Sequence, residues 1–281
     1  MKMLKNLMVI LMSVAVLGLM GCDSKVDRVV VKTLAGSGES GFRDGKVQEA
    51  MFRGPYGIAI DKEGNIIVVD SGNNRIRKID ENGNVTTIAG SGEEGVQEGK
   101  AEDAMFDGPR GIAIDKEGNI IVADTWNHRI RKIDVNGNVS TIAGGVYFGF
   151  KDGKAQEATF LQPSDIAIDN QGNIIVADTE HHRIRRIDEN GNVSTIAGTG
   201  ERSYRDGKAL KATFKWPRGI AIDQQGHIIV ADTHNSRIRK IDVNGNVTTI
   251  AGSGWGYRDG KAEDAKFEWP RGIAIDQQGN I

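Results

Sequence analysis

The sequence is poor in cysteine, in proline and in net charge. A single cysteine excludes a disulfide framework and a zinc site made of several thiolates. The 36 Lys and Arg residues are offset by 38 Asp and Glu residues, which argues against a general nucleic-acid binder, because such proteins carry a basic excess. Five prolines accompany 37 glycines, so the glycines indicate turns, and many turns predict many short strands.

Long hydrophobic runs are also absent, apart from one at the N-terminus. Lys2 and Lys5 precede an apolar run from Leu7 to Gly21. This run is shorter than the ~20 residues that a membrane-spanning helix needs. We therefore interpret residues 1–21 as a signal peptide.

The only cysteine, Cys22, directly follows this run. Its position after the small residue Gly21 resembles the bacterial lipobox, in which the cysteine is lipid-modified and becomes the mature N-terminus. Residues 22–28 would then be a lipidated anchor and a short linker, and the protein would be tethered to a bacterial membrane on its periplasmic or surface side. The alternative is an ordinary signal peptide followed by a chance cysteine.

The rest of the chain is periodic. Aspartates recur at a spacing of 54 residues at positions Asp70, Asp124, Asp178 and Asp232. Prolines open a related segment in each unit, at Pro55, Pro109, Pro163, Pro217 and Pro270. A period of this length with several short strands is typical of a propeller or a solenoid.

One unit contains four strand-like runs, Gly111–Asp115, Asn119–Asp124, Arg129–Asp134 and Asn138–Gly144. They are rich in β-branched residues, and turn residues join the first run to the second and the third to the fourth. The unit therefore predicts a four-stranded antiparallel meander. Such sheets pack radially as the blades of an all-β propeller.

These residues resemble the NHL repeat family. The resemblance lies in Pro109–Ala113, Gly118–Asp124 and Asn127–Ile130, and it recurs through residues 29–281. It implies a β-propeller, commonly six-bladed, that serves as a binding platform without naming a ligand.

The connection between one unit and the next is longer than the family usually has. It repeats an Asp-Gly-Lys or Glu-Gly-Lys signature, as at residues 98–100 and 152–154, followed by an alanine and a phenylalanine such as Ala158 and Phe160. We predict an ordered turn and about one helical turn whose phenylalanine packs against the blade.

The units do not add up to a closed ring. Residues Arg28 to Gly36 match the fourth strand of a unit, four complete units follow, and residue 281 falls in the second strand of a fifth. We therefore expect an incomplete ring of about four and a half blades, truncated at the C-terminus.

The strand order places the long connections and the turns between strands two and three at one end of the blades. Function is expected there, because residues at that end vary between units. The positions after each proline hold Tyr56, Arg110, Ser164, Arg218 and Arg271. The three arginines either bind an anionic ligand or cap neighbouring loop carbonyls.

Other candidates vary at the same end. Trp216 and Trp269 precede prolines, and Trp126, Glu180 and His234 lie in the turns. Exposed aromatic residues stack on sugars or fill a partner's pocket; the alternative is that each tryptophan covers the adjacent loop.

Chemistry that would define an enzyme is not visible. Asp124 and Arg129 bracket a turn in a pattern shared by all units, so we expect them to bond turn backbone or each other. His128 and His182 fall on the repeat motif, and no metal triad, catalytic residue or cofactor motif is apparent.

Two functions therefore compete. The first is a lipid-anchored binding or scaffolding module of the cell envelope that presents its loops to a protein, peptide or glycan, with no nucleic-acid partner. The second is a propeller hydrolase or lyase with a metal on the ring axis.

Overall fold

The structure is a computed structural model that describes residues 31–145 and 149–281. The predicted signal peptide and Cys22 lie outside these residues. The described chain forms four antiparallel sheets of five strands, blades 1 to 4, each from one sequence unit. No helix within the two described ranges is long and apolar enough to cross a membrane.

Blades 1 and 2 have matching strands. Blade 1 contains β1 (Gly45–Lys46), β2 (Pro55–Ile60), β3 (Ile66–Asp70), β4 (Arg75–Ile79) and β5 (Asn84–Ala89). Blade 2 contains β6 (Gly99–Lys100), β7 (Ile112–Ile114), β8 (Ile120–Asp124), β9 (Arg129–Ile133) and β10 (Asn138–Ala143).

Blades 3 and 4 repeat the pattern. Blade 3 contains β11 (Gly153–Lys154), β12 (Pro163–Ile168), β13 (Ile174–Asp178), β14 (Arg183–Ile187) and β15 (Asn192–Ala197). Blade 4 contains β16 (Gly207–Lys208), β17 (Pro217–Ile222), β18 (Ile228–Asp232), β19 (Arg237–Ile241) and β20 (Asn246–Ala251). Short 3-10 turns lie at Ser71–Asn73, Thr179–His181, Ala209–Lys211 and Thr233–Asn235.

The predicted meander is confirmed, with one strand more than expected. Blade 1 has the order β1-β5-β4-β3-β2, and the other blades follow it. The added strand is the Gly-Lys pair of the repeated signature, which we had expected to form only a turn. It pairs with the fourth long strand, as Gly45 does with Val85, because that strand otherwise presents unpaired backbone groups at the sheet edge.

The core lies between the blades. Along β8, Val122 packs toward blade 1, whereas Ile121 and Ala123 pack toward blade 3. Alternate residues of a strand point to opposite faces, so both faces of an inner sheet are buried. Phe106 lies fully buried in the core between blades 1 and 2, which confirms that the connection's phenylalanine packs against the blade.

The arc is open in the part of the chain that the structure describes. The first core cluster contains blade 1 residues with flanking residues such as Ala35, and the last contains blade 4 residues with Ile273 and Ile275. No cluster of the described residues joins blade 1 to the last segment. The prediction that these residues form an arc that does not close is therefore confirmed.

The predicted N-terminal strand is only partly correct. Residues 31–36 form no strand, although Gly36 N–H donates to the carbonyl of Val47 at 2.7 Å, just as Gly90 N–H donates to Ala101 at 2.8 Å. A fourth strand needs a third strand beside it, and the described chain offers none at this edge.

Each blade contains a fully buried arginine, namely Arg77, Arg131, Arg185 and Arg239. Arg185 donates to Asp178 at 2.6 Å and to the carbonyls of Thr159 and Lys151. Of the two expected roles, bonding of Asp124 to Arg129 is wrong, because the partner of Asp124 is Arg131 at 3.0 Å. Bonding to turn backbone is confirmed at the equivalent arginines, since Arg183 donates to His181 O at 3.1 Å. Arg131 points into the blade, whereas Arg129 begins the strand. The structural role that we expected for the aspartate stands.

Candidate functional site

The predicted site residues share one end of the arc, which we call the loop end. There the turn between the second and third long strands bonds the preceding connection in each blade. Trp126 N–H donates to Asp107 O, Glu180 N–H to Leu161 O and His234 N–H to Lys215 O, all at 3.0–3.1 Å. These bonds bring the turn residues beside the residues that precede and follow each proline.

The first long strands lie against one another at the inner edge of the blades. A Cβ atom on Gly57 would lie 2.3 Å from the carbonyl oxygen of Arg110, so only glycine permits this approach. Thr179 Oγ1 adds a bond of 2.8 Å to the carbonyl of Pro217 in the next blade. The side chains that follow the prolines therefore converge at the inner edge.

Three of these side chains, Arg110, Arg218 and Arg271, form what we call the arginine mouth. Arg218 Nη1 donates to the Tyr56 hydroxyl at 3.5 Å, and the guanidinium carbon of Arg110 lies 5.1 Å from the centre of the Tyr56 ring. Burial lowers the pKa of Arg110, and the charges of Arg218 and Arg271 lower it further, whereas Tyr56 raises it. The three positive charges thus act on one another.

The arginine mouth has no acidic partner among the described residues. Every ion pair in that part of the chain involves other side chains. Neither Arg110 nor Arg271 donates a side-chain hydrogen bond to a loop carbonyl within the described ranges. That task falls to other arginines, such as Arg183, which donates to Thr199 O at 2.5 Å.

Ser164 occupies the equivalent place in blade 3, but its side chain is buried. Its hydroxyl lies 2.6 Å from that of Thr179 and donates to Arg218 O at 3.1 Å. Ser164 thus supports the backbone of the arginine mouth.

The aromatic candidates divide into packed and exposed residues. The centre of the Trp216 ring lies 4.4 Å from that of His234 and 5.1 Å from that of His182, and the Arg202 guanidinium lies 3.7 Å from it. Trp216 therefore covers neighbouring loops, which is the alternative to ligand binding that the sequence analysis gave for the tryptophans. Trp126 and Trp269 remain 47% and 51% exposed.

The Trp126 ring lies at the position where other units place the side chain of the residue before the proline. A Cβ atom on Gly108 would lie 1.9 Å from the Trp126 ring, so this ring covers the position held by Trp216 and Trp269 in their units. A tryptophan ring therefore covers this position in three units. In blade 2 it comes from the turn between the second and third long strands, and in the other two units it comes from the residue before the proline.

The charges at the loop end shift the pKa of His234, and Glu180 is one of these charges. Burial lowers the pKa of His234, and the charges of Arg218, Lys215 and Arg202 lower it further, while Glu180 opposes this shift. Glu180 is half-buried and forms no ion pair with the arginine mouth within the described residues.

The repeat histidines have a role that the sequence did not reveal. His182 Nδ1 accepts a hydrogen bond from Trp216 N–H at 3.2 Å, and His128 Nδ1 accepts one from Gln162 N–H at 3.0 Å. Asn74 Oδ1 does the same for Gly108 N–H at 2.9 Å. These side chains hold each blade to the connection of the next blade, and burial lowers the pKa of His182 to about 4.

One half-buried acid breaks the repeat at the inner edge. Asp165 stands where the other units have glycine, and its Oδ2 accepts from Ile220 N–H at 2.9 Å. Burial raises the pKa of this carboxyl to about 7. The sequence shows this departure as an aspartate in place of glycine, but only the structure shows that Asp165 bonds the backbone of Ile220.

In residues 31–145 and 149–281, no group of three or more His, Cys, Asp or Glu side chains is placed to hold a metal ion. A shallow cavity lies between blades 2 and 3 at the opposite end, lined by Asp115, Lys116, Ile168 and Gln171 among others. It is remote from the arginine mouth, because these residues lie at the turns between the first and second long strands.

Fold and site together define a β-propeller arc with a variable loop end. The NHL repeat family model matches residues 106–133, 160–187 and 214–241, and the model described as Teneurin NHL domain matches residues 32–97. The chain belongs to the NHL repeat family.

Two curated relatives and one solved structure illustrate this relationship. The chain is 30% identical to Protein SUPPRESSOR OF QUENCHING 1, chloroplastic, of Arabidopsis thaliana over 88% of this chain and 25% of that protein. It is 30% identical to NHL repeat-containing protein 2 of Gallus gallus over 90% of this chain and 40% of that protein. Its fold is similar to an auxiliary nutrient binding protein from Bacteroides ovatus ATCC 8483, with a TM-score of 0.62 and 18% identity over 81% of this chain and 55% of that chain.

The chain thus spans a quarter to two-fifths of the length of these curated relatives. The structural likeness shows the fold alone at this level of identity.

Proposed function

We propose that this chain is a binding module that holds an anionic ligand at the arginine mouth. The observation that carries the proposal is the convergence of Arg110, Arg218 and Arg271 with no acidic partner among the described residues. Bringing like charges together costs free energy, and a bound carboxylate or phosphate would offset that cost. Guanidinium groups also match such anions in geometry.

The surroundings support this proposal. Tyr56 is 37% exposed and offers a hydroxyl beside two arginines. The buried arginine network repeats from blade to blade, whereas the arginine mouth occupies only some units. A feature that the fold requires would recur in all units. One protein of similar fold is named as nutrient-binding, which is compatible with ligand recognition by a propeller.

The test is calorimetric titration of the purified full-length chain with oligoglutamate, oligogalacturonate and inorganic phosphate. We expect at least one of these anions to bind, and the triple variant Arg110→Gln, Arg218→Gln and Arg271→Gln to lower its affinity at least tenfold. The matched control removes the same charge from the third long strands, by Lys132→Gln, Arg186→Gln and Lys240→Gln, and should bind as the parent does. Equal loss in both variants, or no binding by any anion, contradicts the proposal.

We further propose that the module is tethered to the bacterial cell envelope through Cys22. The supporting observations are the apolar run from Leu7 to Gly21 and the single cysteine after it. Several acyl chains anchor a protein stably. The parent should fractionate with membranes and Cys22→Ser should not; equal membrane association of both would refute the tether.

A further inference from the structure

The inference concerns the half-exposed Trp126 beside Arg110. The Arg110 guanidinium carbon lies 5.8 Å from the centre of the Trp126 ring and 5.1 Å from that of Tyr56. Arg110 is half-buried, so its charge is fixed between two aromatic rings that still reach solvent. This arrangement offers a cation and two flat apolar surfaces at one point.

Trp126 differs from Trp216 in what covers it. Arg202 and His234 occupy the surroundings of the Trp216 ring at 3.7 and 4.4 Å. Within the described residues, the nearest cation to Trp126 is more distant, and 47% of this residue is exposed. A large exposed aromatic surface costs free energy unless a partner covers it.

Arginines and tryptophans at the loop end occur in the same units. The unit of blade 2 has Arg110 with Trp126, the unit of blade 4 has Arg218 with Trp216, and the last partial unit has Arg271 with Trp269. The units of blades 1 and 3 have neither residue at these positions. In blade 2 the ring comes from the turn instead of the position before proline, yet it covers the same place. Loop packing alone would not require that the arginines and the tryptophans occur in the same units, and in blade 2 the two side chains are in contact range.

We infer that the Trp126, Arg110 and Tyr56 side chains bind a sugar ring that carries a carboxylate, as part of an acidic oligosaccharide. The apolar face of the sugar would stack on the Trp126 ring, and its carboxylate would accept hydrogen bonds from Arg110. This inference rests on the proposed function and specifies the ligand class. Single-stranded nucleic acid is the competing ligand class, because its bases also stack on aromatic rings. It needs a basic groove along several successive phosphates, and a chain with a formal net charge of −2 has no basic excess to supply one, whereas a single sugar carboxylate needs only Arg110.

The experiment compares four probes on the purified full-length chain: oligogalacturonate, neutral oligogalactose of the same length, oligoglutamate and oligothymidylate. We expect oligogalacturonate to bind at least tenfold more tightly than each of the other three, and to quench tryptophan fluorescence. Trp126→Ala should weaken oligogalacturonate binding at least tenfold, whereas Trp126→Phe should retain part of it.

Two controls separate this inference from the proposed function. Trp216→Phe alters a covered ring and should leave oligogalacturonate affinity within about twofold, provided that the unfolding midpoint shows a folded variant. Oligoglutamate binding that depends on the arginine mouth but not on Trp126, with no preference for oligogalacturonate, overturns the sugar inference and leaves the anion site standing. Tighter binding of oligothymidylate or oligogalactose also overturns it, and failure of every anion overturns both.

Discussion

Arg77 donates a hydrogen bond of 2.7 Å to Asp70, and neither side chain is exposed to solvent. The other acceptors of Arg77 are Asp44 and the carbonyls of Met51 and Arg43. One side chain therefore joins the third long strand, the second long strand and the connection that precedes the blade. Since a buried charge is stable only when its hydrogen bonds are complete, this network holds the long connection in place.

Removing such an arginine should destabilise the fold strongly. Arg185→Met leaves the buried Asp178 without its arginine partner, and we expect a loss of about 3–5 kcal/mol in the free energy of unfolding. Urea denaturation measures this loss. The control is Lys151→Met, which breaks an exposed pair with Glu157 and should cost less than about 1 kcal/mol. Similar losses in both variants would refute the role of the buried network.

Blade 2 has an incomplete version of this network. Glu98 stands where the other blades have Asp44, Asp152 and Asp206, and it bonds Thr141 N–H at 2.7 Å. Arg131 Nε has no hydrogen-bond partner among the described residues. The longer glutamate side chain thus reaches the backbone of the fourth strand without serving the arginine.

We expect Glu98→Asp to stabilise the protein by about 1 kcal/mol, because it supplies the missing acceptor. The reverse change, Asp152→Glu, should destabilise blade 3 by a similar amount, since Arg185 Nε now bonds Asp152 at 3.0 Å. Urea unfolding of both variants measures these effects. A Glu98→Asp variant less stable than the parent, or an Asp152→Glu variant more stable than the parent, would show that the extra bond does not limit stability.

The hydrogen bond to His182 predicts loss of stability in acid. Nδ1 must be unprotonated to accept from Trp216 N–H, and burial lowers the pKa of His182 to about 4. An unfolded histidine has a pKa near 6.5. The stabilisation is therefore complete above about pH 6.5 and amounts to roughly 2–3 kcal/mol. It is lost as the pH falls toward 4, because the unfolded chain takes up a proton that the folded chain does not.

His182→Asn provides the matched variant, since Asn74 makes the same kind of bond in blade 1 at 2.9 Å without titrating. Unfolding free energies between pH 4 and 7 should decline less steeply for His182→Asn than for the parent. An unchanged pH profile would mean that His182 does not cause the decline.

Glycine at the inner edge should matter for both stability and binding. Gly57→Ala places a Cβ atom 2.3 Å from Arg110 O, so blades 1 and 2 must separate and Arg110 must shift. We expect a loss of about 2 kcal/mol or more from this overpacking, together with weaker oligogalacturonate binding. At Gly64, where φ is +86° and no atom lies within 4 Å of the added Cβ, alanine should cost only about 1 kcal/mol and leave binding unchanged. Thermal unfolding and calorimetry separate these outcomes.

Much of the fold could be predicted from the sequence, because the strand pattern and the turn residues both repeat every 54 residues. The fifth strand was missed, since a Gly-Lys pair is too short to produce a hydrophobic period. The pairing of Asp124 with Arg131 was also missed, because Arg129 and Arg131 lie two residues apart on the same face of one strand, and the sequence does not show which of them reaches the aspartate.

The sequence by itself determined the repeat, the strand order and the end of the blades at which variable residues gather, because local hydrophobic pattern and turn chemistry specify these features. Only the tertiary structure decided which side chains meet. It brought Arg110, Arg218 and Tyr56 together from different units, covered Trp216 while leaving Trp126 exposed, and gave His128 and His182 to the contacts between blades. These outcomes depend on how the blades pack at the inner edge, and that packing arises from contacts between residues far apart in the chain.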